Sequence, residues 1–241
     1  MNCGDTSLLV RPRLPVEVCE AVIEAIHEFS STRFHTNCTT CRACALVCRA
    51  LLPRSQMTLF RTVELTNASA LYKFSAHLDA VPHIAGYVRQ LMLASRSLHS
   101  ADSVVAVFPT ILKGRLPNLV FLDCWRIFED EIWHPEAKRQ PLTKELPCLP
   151  LHPRFPTLMA PFGGITEIEL VGVTFPSFGD LARALHSFCN LRHASLHTVG
   201  WMALGSLPSC MATESQPRFL PYLTELSVSD YPSYSLSRTP V

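Results

Sequence analysis

The stretch that decides the fold reads Val88-Arg89-Gln90-Leu91-Met92-Leu93, with apolar residues at its first, fourth and sixth positions. Five more copies of this pattern occur, at Phe60/Val63/Leu65, Leu119/Leu122/Cys124, Ile165/Ile168/Leu170, Leu191/Ala194/Leu196 and Leu223/Leu226/Val228. Counted between residues 65, 93, 124, 170, 196 and 228, four of the five steps measure 26 to 32 residues and the other measures 46. One strand, one helix and two turns fill such a step, so the pattern predicts an α/β solenoid of strand-helix units over residues 61–228.

In the segments between the copies, the apolar residues have the spacing of a helix. Apolar residues recur three and four positions apart from Ala68 to Asp79, from Ser103 to Leu112 and from Phe178 to Phe188. Strands that alternate with helices predict parallel pairing. The long step is dense in proline, so we expect an exposed Pro-rich insertion at about residues 129–161. Residues 1–12 and 229–241 are expected to form a disordered lead and tail.

Three short helices are predicted ahead of the repeats, in residues 13–60. The first begins at Leu14-Pro15, because proline at the first helical position loses no hydrogen bond. A polar loop from Ser30 to Asn37 precedes a second helix that begins near Thr39 or Thr40, and Pro53 begins the third. Three helices of this length enclose little core, so we expect this head to pack against the repeats or against a partner.

Composition excludes several classes of protein. A formal net charge of +1 provides no basic face for nucleic acid. The N-terminus lacks the pattern of a secretion signal, and the longest apolar runs are too short to span a membrane. The ten cysteines are expected to remain reduced thiols. We therefore expect a protein of the cytoplasm, the nucleus or both, with no membrane and no nucleic acid as a partner.

One cysteine run has the spacing of an iron-sulfur site. It reads Cys38-x-x-Cys41-x-x-Cys44-x-x-x-Cys48, but Cys41, Cys44 and Cys48 continue an amphipathic helix, where thiolates cannot surround a cluster. A zinc site that uses Cys38, Cys41 and His35 or His27 is the other metal hypothesis. A looser group comprises His186, Cys189, His193 and His197. Helix packing is the favoured interpretation of the run, so we expect no metal and no cofactor. Motifs of nucleophilic or phosphate chemistry are absent from the sequence, which favours a protein that is not an enzyme.

The head resembles an F-box. The resemblance rests on Leu14-Pro15-x-Glu17-Val18, on Ala43-Cys44-Ala45-Leu46-Val47-Cys48-Arg49 and on Leu59-Phe60-Arg61. It is closest to F-box-like proteins of the fungal type, in which such a head precedes divergent leucine-rich repeats. It implies a substrate-recruiting adaptor that docks on the Skp adaptor subunit of a cullin-RING ubiquitin ligase. The docking residues that it implies are apolar: Leu14, Pro15, Val18, Ile23, Leu46, Val47 and Leu52.

The substrate-binding surface is predicted from strand alternation. Residues between the apolar positions of each copy point away from the helices, as on any half-covered strand. The candidate substrate face comprises Arg89, Met92, Phe121, Asp123, Glu167, Glu169, Arg192 and His193. Two alternatives to the ligase adaptor stay open: a leucine-rich-repeat interaction scaffold without a ligase role, and a zinc or iron-sulfur protein at Cys38 to Cys48. The sequence does not identify the substrate.

Overall fold

The computed structural model describes residues 15–28, 34–47, 49–95, 103–126, 148–149, 152, 154–204 and 220–229. The chain divides into two compact units, Met1–Phe60 and Arg61–Val241. Their described parts form a mixed α/β protein whose strands pair in parallel. None of the helices in these ranges has the length and apolar character needed to cross a membrane.

The first unit is helical. Its helices are α1 (Val16–Glu28), α2 (Phe34–Val47) and α3 (Leu52–Arg61), the last of which ends one residue inside the second unit. The carbonyl of Pro15 accepts hydrogen bonds from the amides of Val18 and Cys19, which fixes the first turn of α1. Ile23 of α1 and Cys41 of α2 are buried, so they belong to the small apolar interior of this unit.

The start of the second helix differs from the prediction. Helix α2 begins at Phe34, five or six residues before the expected caps Thr39 and Thr40, and so includes part of the predicted polar loop. Helix propensities of ordinary residues differ by less than about 0.7 kcal/mol, so a polar segment is a weak barrier to continuing a helix toward its N-terminus. A longer helix also adds backbone hydrogen bonds that a loop of the same sequence lacks.

The second unit is built on a parallel sheet. Its six strands follow the order of the chain: β1 (Thr62–Leu65), β2 (Gln90–Ser95), β3 (Phe121–Arg126), β4 (Glu167–Val171), β6 (His193–His197) and β8 (Glu225–Ser229). Every neighbouring pair is parallel, as predicted. A second sheet that the sequence did not predict pairs β5 (Thr174–Ser177) with β7 (Gly200–Ala203), also in parallel.

Register and burial in the large sheet follow one rule. The apolar pattern positions of neighbouring strands are paired directly, so that Leu91, Leu122 and Ile168 lie in one row and Leu93, Cys124 and Leu170 in the next. All six are buried, whereas the residues between them on β4 and β6 are half-buried. The two edge strands differ, because Val63 of β1 is only half-buried while Thr62 is buried, and because Leu226 and Val228 of β8 are exposed.

Helices connect these strands. Helices α4 (Ala68–Ala80), α5 (Val104–Leu112) and α7 (Phe178–His186) lie where periodicity predicted them, with ends within two residues. The side chain of Asn67 accepts a hydrogen bond from the amide of Ala70 at 2.8 Å and caps α4. Ser177 caps α7 in the same way, through the amide of Asp180 at 3.1 Å.

The prediction of an exposed insertion is wrong for its last part. Helix α6 (Phe155–Met159) and the 3-10 turn Ala160–Phe162 lie within residues 129–161 and reach one residue past them. Phe155, Met159 and Phe162 are buried. Proline fits the first turn of a helix, so Pro156 and Pro161 begin these elements and do not prevent them. Residues 127–147, 150–151 and 153 lie outside the described ranges, as do the predicted lead and all of the predicted tail except Ser229, which ends β8.

A repeated turn leads into the strands. The amides of Leu119, Ile165, Leu191 and Leu223 each donate to the carbonyl three residues earlier, on Leu116, Phe162, Phe188 and Leu220. The four acceptor residues are buried, which extends the apolar pattern by one position that the sequence analysis missed. Two asparagines then join successive copies. The side-chain amide of Asn118 donates to the Gly86 carbonyl at 2.7 Å, and that of Asn190 donates to the Gly163 carbonyl at 2.7 Å.

Replacing Asn118 is expected to destabilise the second unit. Asn118→Ala leaves the Gly86 carbonyl without this donor at a half-buried position, so we expect a loss of about 1 kcal/mol in the free energy of unfolding. Asn190→Ala is the matched control, because its equivalent bond is exposed and water can replace the donor. Urea denaturation measures both. A midpoint for Asn118→Ala no lower than that of Asn190→Ala would show that burial does not set the strength of these bonds.

Candidate functional site

The face of the large sheet opposite the buried rows is the main candidate site, and we name it the open face. Three paired rows form it: Thr62, Gln90, Phe121, Glu167, His193 and Glu225; then Glu64, Met92, Asp123, Glu169, Ser195 and Ser227; then Ala94, Trp125, Val171, His197 and Ser229. Six of the predicted substrate-face residues therefore share one face. Arg89 and Arg192 do not join these rows; they directly precede β2 and β6 and are exposed.

Cross-strand pairs link polar residues along these rows. The hydroxyl of Thr62 donates to the side-chain oxygen of Gln90 at 2.8 Å. His193 lies beside Glu225, with 3.2 Å between Nδ1 and the nearer carboxylate oxygen. His197 has two neighbours: its Nδ1 is 2.7 Å from the Ser229 hydroxyl. Its Nε2 is 3.7 Å from a carboxylate oxygen of Glu169. Paired side chains of this kind hold the polar groups in fixed positions on the sheet.

Asp123 lies near the middle of the open face and has unusual surroundings. Its register neighbours are Met92 and Glu169, so a second carboxylate lies directly beside it. Burial is the main cause that raises the pKa of Asp123 to about 7, followed by the negative charges of Glu169 and Glu64. This carboxyl group therefore keeps its proton to a much higher pH than an exposed aspartate does.

Two polar atoms of β3 are buried without a hydrogen-bond partner in the described structure. They are Oδ1 of Asp123 and the indole Nε1 of Trp125, two residues apart on the same face of the strand. Buried polar groups are nearly always paired in folded proteins, so each of these two atoms requires a partner, a water molecule or a ligand, that the described side chains do not supply. Sequence analysis placed Asp123 on the substrate face, assigned His197 only to the looser group of possible metal ligands and did not consider Trp125, so neither His197 nor Trp125 was placed on that face. Continuing the alternation by two residues on each strand would have included both.

The cysteine run lies in a helix. Cys41 and Cys44 are in α2, as the amphipathic interpretation predicted; Cys38 is also in α2, although it was expected to precede the helix, and Cys48 lies outside the described residues. Burial raises the pKa of the Cys41 thiol, and the neighbouring Cys44 and Cys38 raise it further, so this thiol is held in its neutral form. Within the described ranges, no group of three His, Cys, Asp or Glu side chains is arranged to hold a metal ion.

The first unit presents several apolar side chains to solvent. Leu46 is 88% exposed, Val47 is 72% exposed and Val18 is 45% exposed. Leu52 and Pro15 of the predicted docking set are also exposed, and Leu14 lies outside the described residues.

One member of the docking set is misplaced and one exposed neighbour was missed. Ile23 is only 1% exposed, so assigning it to a docking surface was wrong. Val22, four residues after Val18, is 55% exposed instead. Val18 and Val22, four residues apart, share a helix face, whereas Ile23 lies about 100° further around the helix and can therefore differ from them in exposure.

The raised pKa of Asp123 predicts that stability depends on pH. A folded-state pKa above the unfolded value near 3.8 means that this group stabilises the folded state at low pH, and that the stabilisation is lost as the pH rises from about 4 to about 7. Asp123→Asn cannot ionise. We expect the variant to be more stable than the unaltered protein at pH 8, by on the order of 2 kcal/mol, and similar to it at pH 4.

Urea denaturation at pH 4, 6 and 8 tests this expectation. Glu17→Gln, an exposed substitution on α1 with the same change of charge, is the matched control and should change stability by less than about 0.5 kcal/mol. If the difference between Asp123→Asn and the unaltered protein is the same at pH 4 and pH 8, the carboxyl group does not titrate between them as described.

Comparisons with known proteins identify no relative of this chain. No protein-family model, no curated protein and no solved structure matches it significantly. Its function has to be inferred from its own residues and their geometry.

Proposed function

We propose that this protein is a non-enzymatic adaptor that recruits a substrate to a cullin-RING ubiquitin ligase. Its helical unit docks on the Skp adaptor subunit as an F-box does, and its second unit, as a divergent leucine-rich-repeat solenoid, binds the substrate. The observation that carries the proposal is the set of exposed apolar side chains on the helical unit, with Leu46 and Val47 at the end of α2 foremost.

The exposed apolar residues suit a protein contact better than they suit a free surface. Burying a large aliphatic side chain is favourable by about 1.5 to 3 kcal/mol, and Leu46, Val47, Val18 and Val22 have much of that gain still available. A few such residues in one contact supply most of the binding energy of a typical interface. They lie on α1 and α2, the helices whose sequences resemble the F-box.

The second unit supports the substrate-binding half of the proposal. Parallel strands in chain order, a repeated turn before four of the strands and asparagine bonds at two of the joints support a stack of strand-helix repeats. Such stacks expose one sheet face along their length and use it to bind other proteins. The open face is the corresponding surface here.

An interaction scaffold without a ligase role is the second candidate. This scaffold would use the same substrate-binding face. The burial of Ile23 and Cys41 favours it, because apolar residues that form an interior do not need a partner protein to cover them. The two candidates differ in one property, which is whether the helical unit binds the Skp adaptor.

Adaptor binding is tested by pull-down with purified Skp adaptor. Leu46→Asp places a charge at the centre of the proposed apolar contact, so we expect binding to fall by at least tenfold. Leu204→Asp is the matched control: Leu204 is also a strongly exposed leucine, but it lies in the second unit, and binding should be unchanged. Thermal melting of both variants establishes that they fold.

Two results would contradict the adaptor role. The first is an unaltered protein that retains no Skp adaptor under conditions in which an established F-box protein binds it. The second is equal binding by Leu46→Asp and the unaltered protein, which would remove α2 from the contact. The first result would leave the interaction scaffold as the function.

A further inference from the structure

The open face concentrates negative charge. It carries five carboxyl groups, on Glu64, Asp123, Glu167, Glu169 and Glu225, and none of its three rows contains a lysine or an arginine. The whole chain is balanced, with 21 basic and 20 acidic residues. The charge of the open face is therefore local, and its potential favours a cationic ligand over nucleic acid or an anionic membrane.

The centre of this face has no lysine or arginine beside its carboxylates; the basic group nearest to Glu169 is His197, whose Nε2 lies 3.7 Å from it. Asp123 and Glu169 are register neighbours, and Glu64 lies in the same row two strands from Asp123, with Met92 between them. Like charges side by side are unfavourable unless a cation lies between them. Oδ1 of Asp123 is buried without a hydrogen-bond partner in the described structure, yet the residue is still partly exposed, so a side chain from outside can reach the carboxyl group.

Aromatic residues lie on both sides of this carboxylate. Phe121 and Trp125 are two residues before and two residues after Asp123, on the same face of β3. Strand geometry separates such neighbours by about 7 Å, the distance that a guanidinium group and the chain behind it can cover. Guanidinium groups stack on aromatic rings and bond to carboxylates in the same plane, whereas an ammonium group is a point charge without a stacking face.

We propose that the open face binds an extended, arginine-containing segment of a partner protein, with one guanidinium group between Asp123 and Glu169 and its chain against Phe121 or Trp125. This segment deepens the proposed function, since it would be the part of the substrate that the adaptor recognises. A metal ion is the weaker occupant, because the described residues contain no suitable group of three ligands.

Binding of this segment is linked to the release of a proton. A guanidinium beside Asp123 favours the charged carboxylate, so it lowers the pKa of that group from its free value of about 7. Affinity therefore increases as the pH rises from 6 to 8. The other titratable groups on this face are Glu64 on β1, Glu167 and Glu169 on β4, Glu225 on β8, and His193 and His197 on β6.

The test uses a fluorescently labelled peptide of alternating serine and arginine, and the full chain. The matched peptide replaces each arginine by citrulline, which keeps the shape and removes the charge. We expect anisotropy titrations at pH 8 to give at least tenfold tighter binding for the arginine peptide. Asp123→Asn should weaken that binding by tenfold or more and reduce its dependence on pH, while Glu17→Gln should leave both unchanged.

Three results would overturn the proposal. They are equal affinity for the arginine and citrulline peptides, unchanged binding by a folded Asp123→Asn variant, and tighter binding at pH 6 than at pH 8. Leu46→Asp separates this proposal from the adaptor role. A variant that loses the Skp adaptor and keeps the peptide shows two independent surfaces. Peptide binding by a protein that never binds the Skp adaptor supports the open face as a scaffold site.

Discussion

The alternation of side chains along strands that are paired in register is the constraint on which the second unit depends. Leu91, Leu122 and Ile168 form a continuous apolar row because each lies at the same position of its strand. A shift of one residue in any strand would expose its apolar residues and bury its polar ones. The same register that builds the core therefore brings Asp123 beside Glu169, so the chemistry of the open face is a consequence of how the core is packed.

The sequence predicts this unit well where one local pattern decides the structure. Six strands, three connecting helices and the shared face of Met92, Phe121, Asp123 and Glu169 follow from periodicity alone. The sequence is a poor predictor where residues far apart in the chain determine the structure. Helix α6 was not predicted because the prolines around it indicated an exposed insertion. The small sheet of β5 and β7 has no repeated sequence pattern that would predict it. The raised pKa of Asp123 depends on Glu64 and Glu169, which lie 59 residues before it and 46 residues after it in the chain.

The helical unit shows the limit of periodicity in a small domain. Apolar residues cover so much of α1 that spacing does not separate the side facing the interior from the side facing solvent. Ile23 and Val22 are adjacent and equally apolar, yet one is buried and the other exposed. The rest of the folded chain makes that choice, because the spacing of apolar residues along α1 does not encode it. A docking surface on a short helix is therefore read from exposure, and the sequence supplies only the list of apolar candidates.

The two asparagine bonds have a consequence for how the second unit opens. Asn118 connects the third copy of the pattern to the second, and Asn190 connects the fifth to the fourth. The third and fourth copies, at the two ends of the longest step, are joined through the backbone, since the carbonyl of Val120 accepts from the amides of Thr166 and Glu167. Local opening between β2 and β3, or between β4 and β6, therefore has to break an asparagine side-chain bond as well as the backbone ladder.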